Sequence, residues 1–448
     1  MQTVVFLIIY ISVPIVCYRI LKLSNVRFRE VSVSSIFFSY YFLIAYVGIL
    51  PFYFSFSRYA YFLGATDTDT IFQILVMSSS AILMTSIGYA VAEKICPLAQ
   101  MTGNGETSSL KNAAFPMLIV LSIIAVIVTL LFIKNLPNVA LSSVFSGDRS
   151  HLSQMRSEAT SGYSGEGHFY YYRAFFQSLL PFCLYIAFSE SLLTKNNWKR
   201  VIALGLFIFA LFAALMNVEK APAIWLLMGC YLTYVATRSK IIDLRSLIVV
   251  VLLLFALVCT IFYYFVGILE DRTMMDLLAW GGDRIFMGGI APGYFYLQIF
   301  PHDHPYLMGA SLPNPKGIFP WEPYRIAVEV YNYMNPFANI SEVVGSAPTA
   351  FWGELYANFG KVAVFIVSPI IGVIIYIMTY LTKSIQESPI KVALTVWLAM
   401  HMMVLAETGI SGYLLDVDMT VILFAALMLT IANKVRFVAP MQRYVLEE

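Results

Sequence analysis

The chain has 448 residues, 60% of them hydrophobic and only 12% charged, with a mean hydropathy of +0.77. That balance excludes a soluble globular domain and points to a polytopic membrane protein. The formal net charge of +2 offers no electrostatic footprint for nucleic acid. Cys17, Cys96, Cys183, Cys230 and Cys259 lie in or beside apolar runs without CxxC or metal-like spacing, so they read as small core residues.

A spanning helix needs about 20 mainly apolar residues, and about eleven runs of that kind follow one another along the chain. They cover 3–23, 33–54, 71–92, 114–133, 169–189, 201–216, 221–237, 246–268, 359–382, 391–407 and 415–433. The first lacks a basic start and an Ala-x-Ala site, so it reads as a span rather than a signal sequence. With the N-terminus outside, the inner loops collect most short-loop basic residues, among them Arg27, Arg29, Lys94, Lys111, Lys199, Arg200, Lys240, Arg245, Lys383 and Lys434. An outside N-terminus and an inside C-terminus follow. Ile285 to Phe300 is apolar but short and carries Gly288, Gly289, Pro292 and Gly293, which predicts a re-entrant or interfacial segment.

The expected fold is all-α and polytopic, with about eleven transmembrane helices and two large outer loops. N-terminal spans fill 1–133, a first outer loop 134–168, central spans 169–268, a second outer loop 269–358, and C-terminal spans with an inner tail 359–448.

The chemistry is expected in the second loop, where Asp283, Arg284, His302, His304, Arg325 and Glu354 sit among Trp280, Tyr294, Trp321, Trp352 and Tyr356. So many aromatics argue for an ordered cap. Their rings suit the apolar faces of sugars, and equally suit a belt at the headgroup level. Lys220, in the short outer turn with Glu219, is placed to meet a lipid diphosphate as a point charge, or else neutralises Glu219 in a helix hairpin. Arg173 lies inside an apolar stretch where an unpaired charge is expensive, and either snorkels outward or faces a ligand. His302-Asp303-His304, flanked by Pro301 and Pro305, reads as an exposed turn, and no metal or cofactor is expected. Asp67 and Asp69 resemble the acidic pair of metal-dependent membrane glycosyltransferases, or serve as a helix cap. Glu407, Asp416 and Asp418 flank the last outer turn at helix ends, whereas a proton-coupled transporter would want such carboxylates in mid-span.

Three stretches resemble the bacterial oligosaccharide repeat-unit polymerases of the Wzy family. They are Gly345-Ser-Ala-Pro-Thr-Ala-Phe-Trp-Gly-Glu-Leu-Tyr-Ala-Asn-Phe-Gly360, Trp280-Gly-Gly-Asp-Arg284 with the aromatic run to Pro301 and Gly309-Ala-Ser, and Asn217-Val-Glu-Lys-Ala-Pro222. The resemblance implies an inner-membrane glycosyltransferase with periplasmic active-site loops. It would pass a growing glycan from undecaprenyl diphosphate to the next lipid-linked repeat unit of an O-antigen or capsular chain. Within those stretches Glu354, Arg284 and Asp283 are the expected catalytic residues and Lys220, Trp280, Trp352 and Tyr356 substrate-binding ones, while Arg325, Arg173, His302 and His304 join the substrate-binding set on their charge and outer placement. Membrane lipids, a chain-length regulator and a flippase are the implied partners. An O-antigen ligase shares this donor chemistry, and a glycan flippase or solute transporter is the alternative from another class.

Overall fold

The computed structural model describes residues 1–98, 107–111, 113–136, 168–217, 220–261, 281–283, 285–314, 318–336, 345–412, 414 and 416–434. Most of the first outer loop, Arg284 and Trp280 lie outside the described residues, as does the side chain of Lys220.

Every apolar run carries a helix. In chain order these are α1 (Gln2–Leu23), α2 (Val33–Ala45), α3 (Ile49–Tyr53), α4 (Arg58–Phe62), α5 (Thr68–Ile95) and α6 (Ala114–Asn135). Then come α7 (His168–Arg173), a π-helical turn at Ala174–Leu179, α8 (Leu180–Leu193), α9 (Asn197–Leu215), α10 (Lys220–Arg238) and α11 (Leu244–Ile261). The cap contributes α12 (Ala291–Gln298) and α13 (Ile326–Met334), and α14 (Phe351–Ser384), α15 (Pro389–Met403) and α16 (Val417–Lys434) complete the bundle. Nine stretches among the described residues are long and apolar enough to cross a membrane. No strand occurs among the described residues, only an isolated bridge between Glu30 and Ile241. The architecture is that of an all-helical polytopic membrane protein, in which each span satisfies its own backbone.

Local signals start the helices where polar residues precede the runs. Ser32 accepts from Ser35 N at 3.1 Å while Ser35 Oγ accepts from Ser32 N at 3.1 Å, a reciprocal cap on α2. Asp67 caps α5, taking the Thr70 and Asp69 N–H groups at 2.9 and 3.3 Å. That is the capping alternative for the Asp67–Asp69 pair. Cys17 and Cys183 are buried as expected, but Cys96, just past the end of α5, is exposed.

The loops gather at two opposite ends. At one, Ile242 N donates to Arg29 O at 2.6 Å, Lys240 pairs with Glu387 at 3.3 Å, Asn25 Nδ2 donates to Glu93 at 2.7 Å, and Lys111 N donates to Asn433 Oδ1 at 2.9 Å. At the other, Gln2 donates to Asp69 at 2.6 Å, Tyr59 N to Asp283 at 3.2 Å, and Ser411 N to Glu354 at 2.9 Å. Loops that the charge pattern assigns to one side meet only one another in these contacts. We call the two the basic end and the cap end.

Among the described residues, α5 and α14 pack on each other more extensively than any other pair of helices. Gly88 abuts the Pro369 backbone and Gly372 the Thr85 backbone, so neither site has room for a Cβ. Small residues let spanning backbones approach where lipid supplies no hydrophobic drive.

At Gly360, φ 73° and ψ −168° break α14, a conformation that disfavours any side chain with a Cβ. Leu307 N and Met308 N donate to Ala357 O and Asn358 O, both at 3.0 Å, taking up carbonyls at the end of the first half. The sequence starts this run at 359, whereas the helix starts at Phe351. The extra turns carry Glu354, Tyr356 and Asn358, which protein rather than lipid shields.

Eight-residue α12 rises about 12 Å, too short to span. Its residues Ala291 to Leu297 are buried, and it packs on α5, α13 and α14. This agrees with a segment buried against the bundle rather than a further span.

Candidate functional site

At the cap end a cavity of about 630 Å³ opens between the first turn of α5, the end of α12 with its following π turn, α13, and both sides of the break in α14. Thr70, Gln73, Gln298, His302, Asp303, Tyr306, Tyr333, Tyr356 and Lys361 line it, with Leu297 and Pro301 as its apolar members. Tyr333 Oη donates to Asp303 Oδ2 at 3.0 Å. Partial burial, with the neighbouring Asp303, holds the Tyr333 hydroxyl above its usual pKa. Tyr356 Oη donates to Phe300 O at 3.0 Å, and the Tyr306 and Tyr356 rings meet edge to face at 6.0 Å. The volume falls in the range of small-ligand sites. A second hollow, of about 570 Å³ and lined by Ser55, Phe56, Ser57, Tyr61 and Phe62, has no ionisable group but the Tyr61 phenol.

Glu354 lies in a different setting. It is 2% exposed, with Oε1 accepting from Ser311 Oγ at 2.7 Å and Oε2 from Ser411 N at 2.9 Å. Asn358 Nδ2 donates to Ser311 Oγ at 2.7 Å and to Glu354 O at 2.8 Å, and its Oδ1 accepts from Gly309 N at 2.9 Å. Gly409 packs directly on the carboxylate, where a Cβ would overlap it. One side chain thus ties α14, the 309–311 turn and the 407–411 turn together. Both oxygens are engaged, so Glu354 holds the cap in place.

A third centre joins parts of the chain far apart in sequence. Arg173 Nη2 donates to Asp418 Oδ2 at 2.7 Å and lies 3.9 Å from Asp416 Oδ2. Ser178 Oγ donates to Asp418 Oδ1 at 2.8 Å, and His401 Nε2 lies 3.6 Å from Asp416 Oδ1 with its ring stacked on Trp397 at 4.6 Å. Met419 N donates to Asp416 Oδ1 at 2.8 Å, while Asp416 Oδ2 is buried without a hydrogen bond. Burial pushes the Asp416 carboxyl up to about 7; the neighbouring Asp418 adds to this, and the Met419 N–H and Arg173 oppose it. A carboxyl with that value can take or give a proton near neutrality. Nearby, Glu407 accepts from Tyr40 Oη, and burial raises its carboxyl above the ordinary range against that hydrogen bond.

His302 and Tyr356 line the cavity. Asp283 instead accepts the Tyr59 N–H, His304 bonds Pro305 O through Nδ1 at 2.7 Å, and Arg325 is exposed at the head of α13. Trp352 is 2% exposed and packs against Gly293, a core position rather than a cavity wall. Arg173 faces carboxylates, which resolves its cost inside an apolar stretch. Gln73, Gln298, Tyr333 and Lys361 were missed because each belongs to a helix whose periodicity says nothing about the wall it forms. Lys361, a charge just inside an apolar run, was the one legible signal. No family model matches this chain, and neither a curated protein nor a solved structure does.

Proposed function

We propose that the protein polymerises lipid-linked oligosaccharide repeat units. It transfers a growing glycan from its polyprenyl diphosphate to a sugar hydroxyl of the next lipid-linked unit, at the outer face of a bacterial inner membrane, with the cap end outward. One observation carries this reading. Among the described residues, every Asp, Glu, Lys and Arg of the spanning helices lies within about two turns of a helix end or of the Gly360 break. At the cap end such groups gather around a polar cavity and the Arg173 centre. Transporters place ionisable residues and broken helices at the bilayer midplane; chemistry on a lipid head group needs them at the surface.

The chain's own groups supply what the transfer demands. The diphosphate leaving group develops charge that a cation must meet, and the acceptor hydroxyl must lose a proton. The cap end offers Lys361 and Arg325 for the first task, and the Asp416 carboxylate and His302 imidazole for the second. Basic residues crowd the opposite end, as the inner side requires.

The test is reconstitution of the full chain in liposomes with a polyprenyl-diphosphate-linked repeat unit from the same cells. A ladder of products spaced by one repeat unit is expected. Movement of the substrate across the bilayer with no ladder would overturn the reading in favour of transport.

A further inference from the structure

Beside the acidic wall of Asp303 and Tyr333 and the neighbouring His302, the cavity at the break in α14 has walls of two further kinds, and their order relative to the lipid-facing surface is informative. Lys361 lines it immediately after Gly360. Val362, Phe365 and Ile366, on the first turn beyond, are 66%, 45% and 63% exposed. That spacing gives one apolar stripe on a spanning helix, which faces acyl chains. Lys361 therefore marks the level at which α14 leaves the hydrocarbon. It is exposed, and no ion pair with it occurs among the described residues, although Asp303 lines the same cavity.

The other wall is neutral and rich in hydrogen-bonding groups. Gln73 and Gln298 each offer a donor and an acceptor, Thr70 adds a hydroxyl, and the edge-to-face rings of Tyr306 and Tyr356 present apolar surface beside them. Paired amides with aromatic faces suit a pyranose, which carries hydroxyls around its rim and C–H groups on its faces. A cation at the membrane boundary, an apolar stripe below it and a sugar-sized polar wall beside it fit one amphiphile.

We propose that this cavity binds the head group of a prenyl diphosphate sugar, with the Lys361 ammonium on the diphosphate, the first sugar against Gln73 and Gln298, and the prenyl chain along Val362, Phe365 and Ile366. The proposal rests on the glycosyl-transfer reading for its choice of lipid, but it concerns binding alone. Lys361 acts as a point charge, so Arg can replace it and Gln cannot.

The test uses the purified full chain in detergent and three probes: farnesyl diphosphate, farnesyl diphospho-N-acetylglucosamine and water-soluble N-acetylglucosamine 1-phosphate. Thermophoresis should show both farnesyl ligands binding, the sugar-bearing one more tightly. Lys361→Gln should weaken both by about tenfold, the loss of one charge-assisted contact, and Lys361→Arg should restore most of the affinity. Gln73→Ala combined with Gln298→Ala should weaken only the sugar-bearing ligand. Unchanged unfolding temperatures show that these exposed-wall variants keep the fold. Absence of binding by either farnesyl ligand, or undiminished binding by Lys361→Gln, overturns the site. Binding of the soluble sugar phosphate as tight as that of the lipid form overturns its lipid source. Failure of the polymerase reading looks different: probes bind and Lys361→Gln weakens them, yet no ladder forms. Failure of the site alone shows as a normal ladder from Lys361→Gln protein.

Discussion

Glu354 and Asp303 are both carboxylates of the cap, and their surroundings could hardly differ more. Glu354 is buried with each oxygen accepting one hydrogen bond, whereas Asp303 is exposed on a cavity wall and, among the described residues, accepts only the Tyr333 hydroxyl. Within the Arg173 centre Asp418 sides with Glu354, because it is 7% exposed and takes bonds from both Arg173 and Ser178. Polar groups whose bonds are already made within the protein hold it together. Those left open beside a cavity are free to meet a ligand. The family resemblance implies a catalytic Glu354, the carboxylate of the most family-like stretch, whereas sequence alone reads it equally as a structural carboxylate at a helix start; its two accepted hydrogen bonds make it a tie within the cap.

The largest effect should come from Arg173→Ala. Removing the half-buried Arg173 leaves the buried Asp418 as an uncompensated charge, a cost approaching that of breaking a fully buried pair, about 3–5 kcal/mol. Thermal unfolding in detergent should drop sharply, and adding Asp418→Asn should recover part of the loss. Undiminished stability in Arg173→Ala would move this centre from the holding class to the ligand-facing one.

Glu354→Gln should cost less, about 1–3 kcal/mol. Its amide oxygen can still accept from Ser411 N, but its NH₂ then faces Ser311, which already accepts from Asn358 and loses the acceptor for its own hydroxyl proton. Polymer yield per folded molecule should stay near normal. A loss of turnover of about a hundredfold with unfolding temperature intact would instead give Glu354 the proton-transfer role.

A smaller, pH-dependent effect belongs to Asp416. Its carboxyl rises from an ordinary 3.8 to about 7 in the folded protein, so between those values the native state holds more protons than the unfolded chain. Stability then falls as pH rises through that window. Asp416→Asn should flatten the pH dependence of the unfolding temperature and raise it at neutral pH. A slope unchanged by this substitution would show that Asp416 does not carry the pH dependence.

The fold was largely legible, and for a physical reason: bilayer thickness imposes a length on every span, so apolar runs at 3–23 or 114–133 announce α1 and α6 almost to the residue. Charge bias likewise sorted the loops into the two ends that the contacts bring together, as with Arg29 and Lys240. The polar centres were harder to read. Arg173 stood out as a charge in an apolar stretch, but its partner Asp418 lies 245 residues away, beyond the reach of periodicity. Gln73 and Gln298 are unremarkable in sequence and line one cavity only because α12 packs against α5.

Tyr333→Phe should give the smallest change in stability and the sharpest division between the two classes. Tyr333 is 46% exposed, and its hydroxyl makes one bond, to an exposed carboxylate, so its loss should shift stability by no more than about 0.5 kcal/mol. Asp303 would then lose the donor that fixes its orientation at the cavity wall. If the wall contacts a sugar, the variant should unfold at the wild-type temperature yet need several times more lipid-linked substrate for half-maximal polymerisation, with maximal rate little altered, the pattern of a removed binding contact. Restoring the hydroxyl's function with Tyr333→His, whose ring N–H can donate, should recover part of the affinity. A lowered unfolding temperature with unchanged substrate dependence would place Asp303 and Tyr333 with Glu354 among the groups that hold the cap, and would leave the cavity without its acidic wall as a ligand contact.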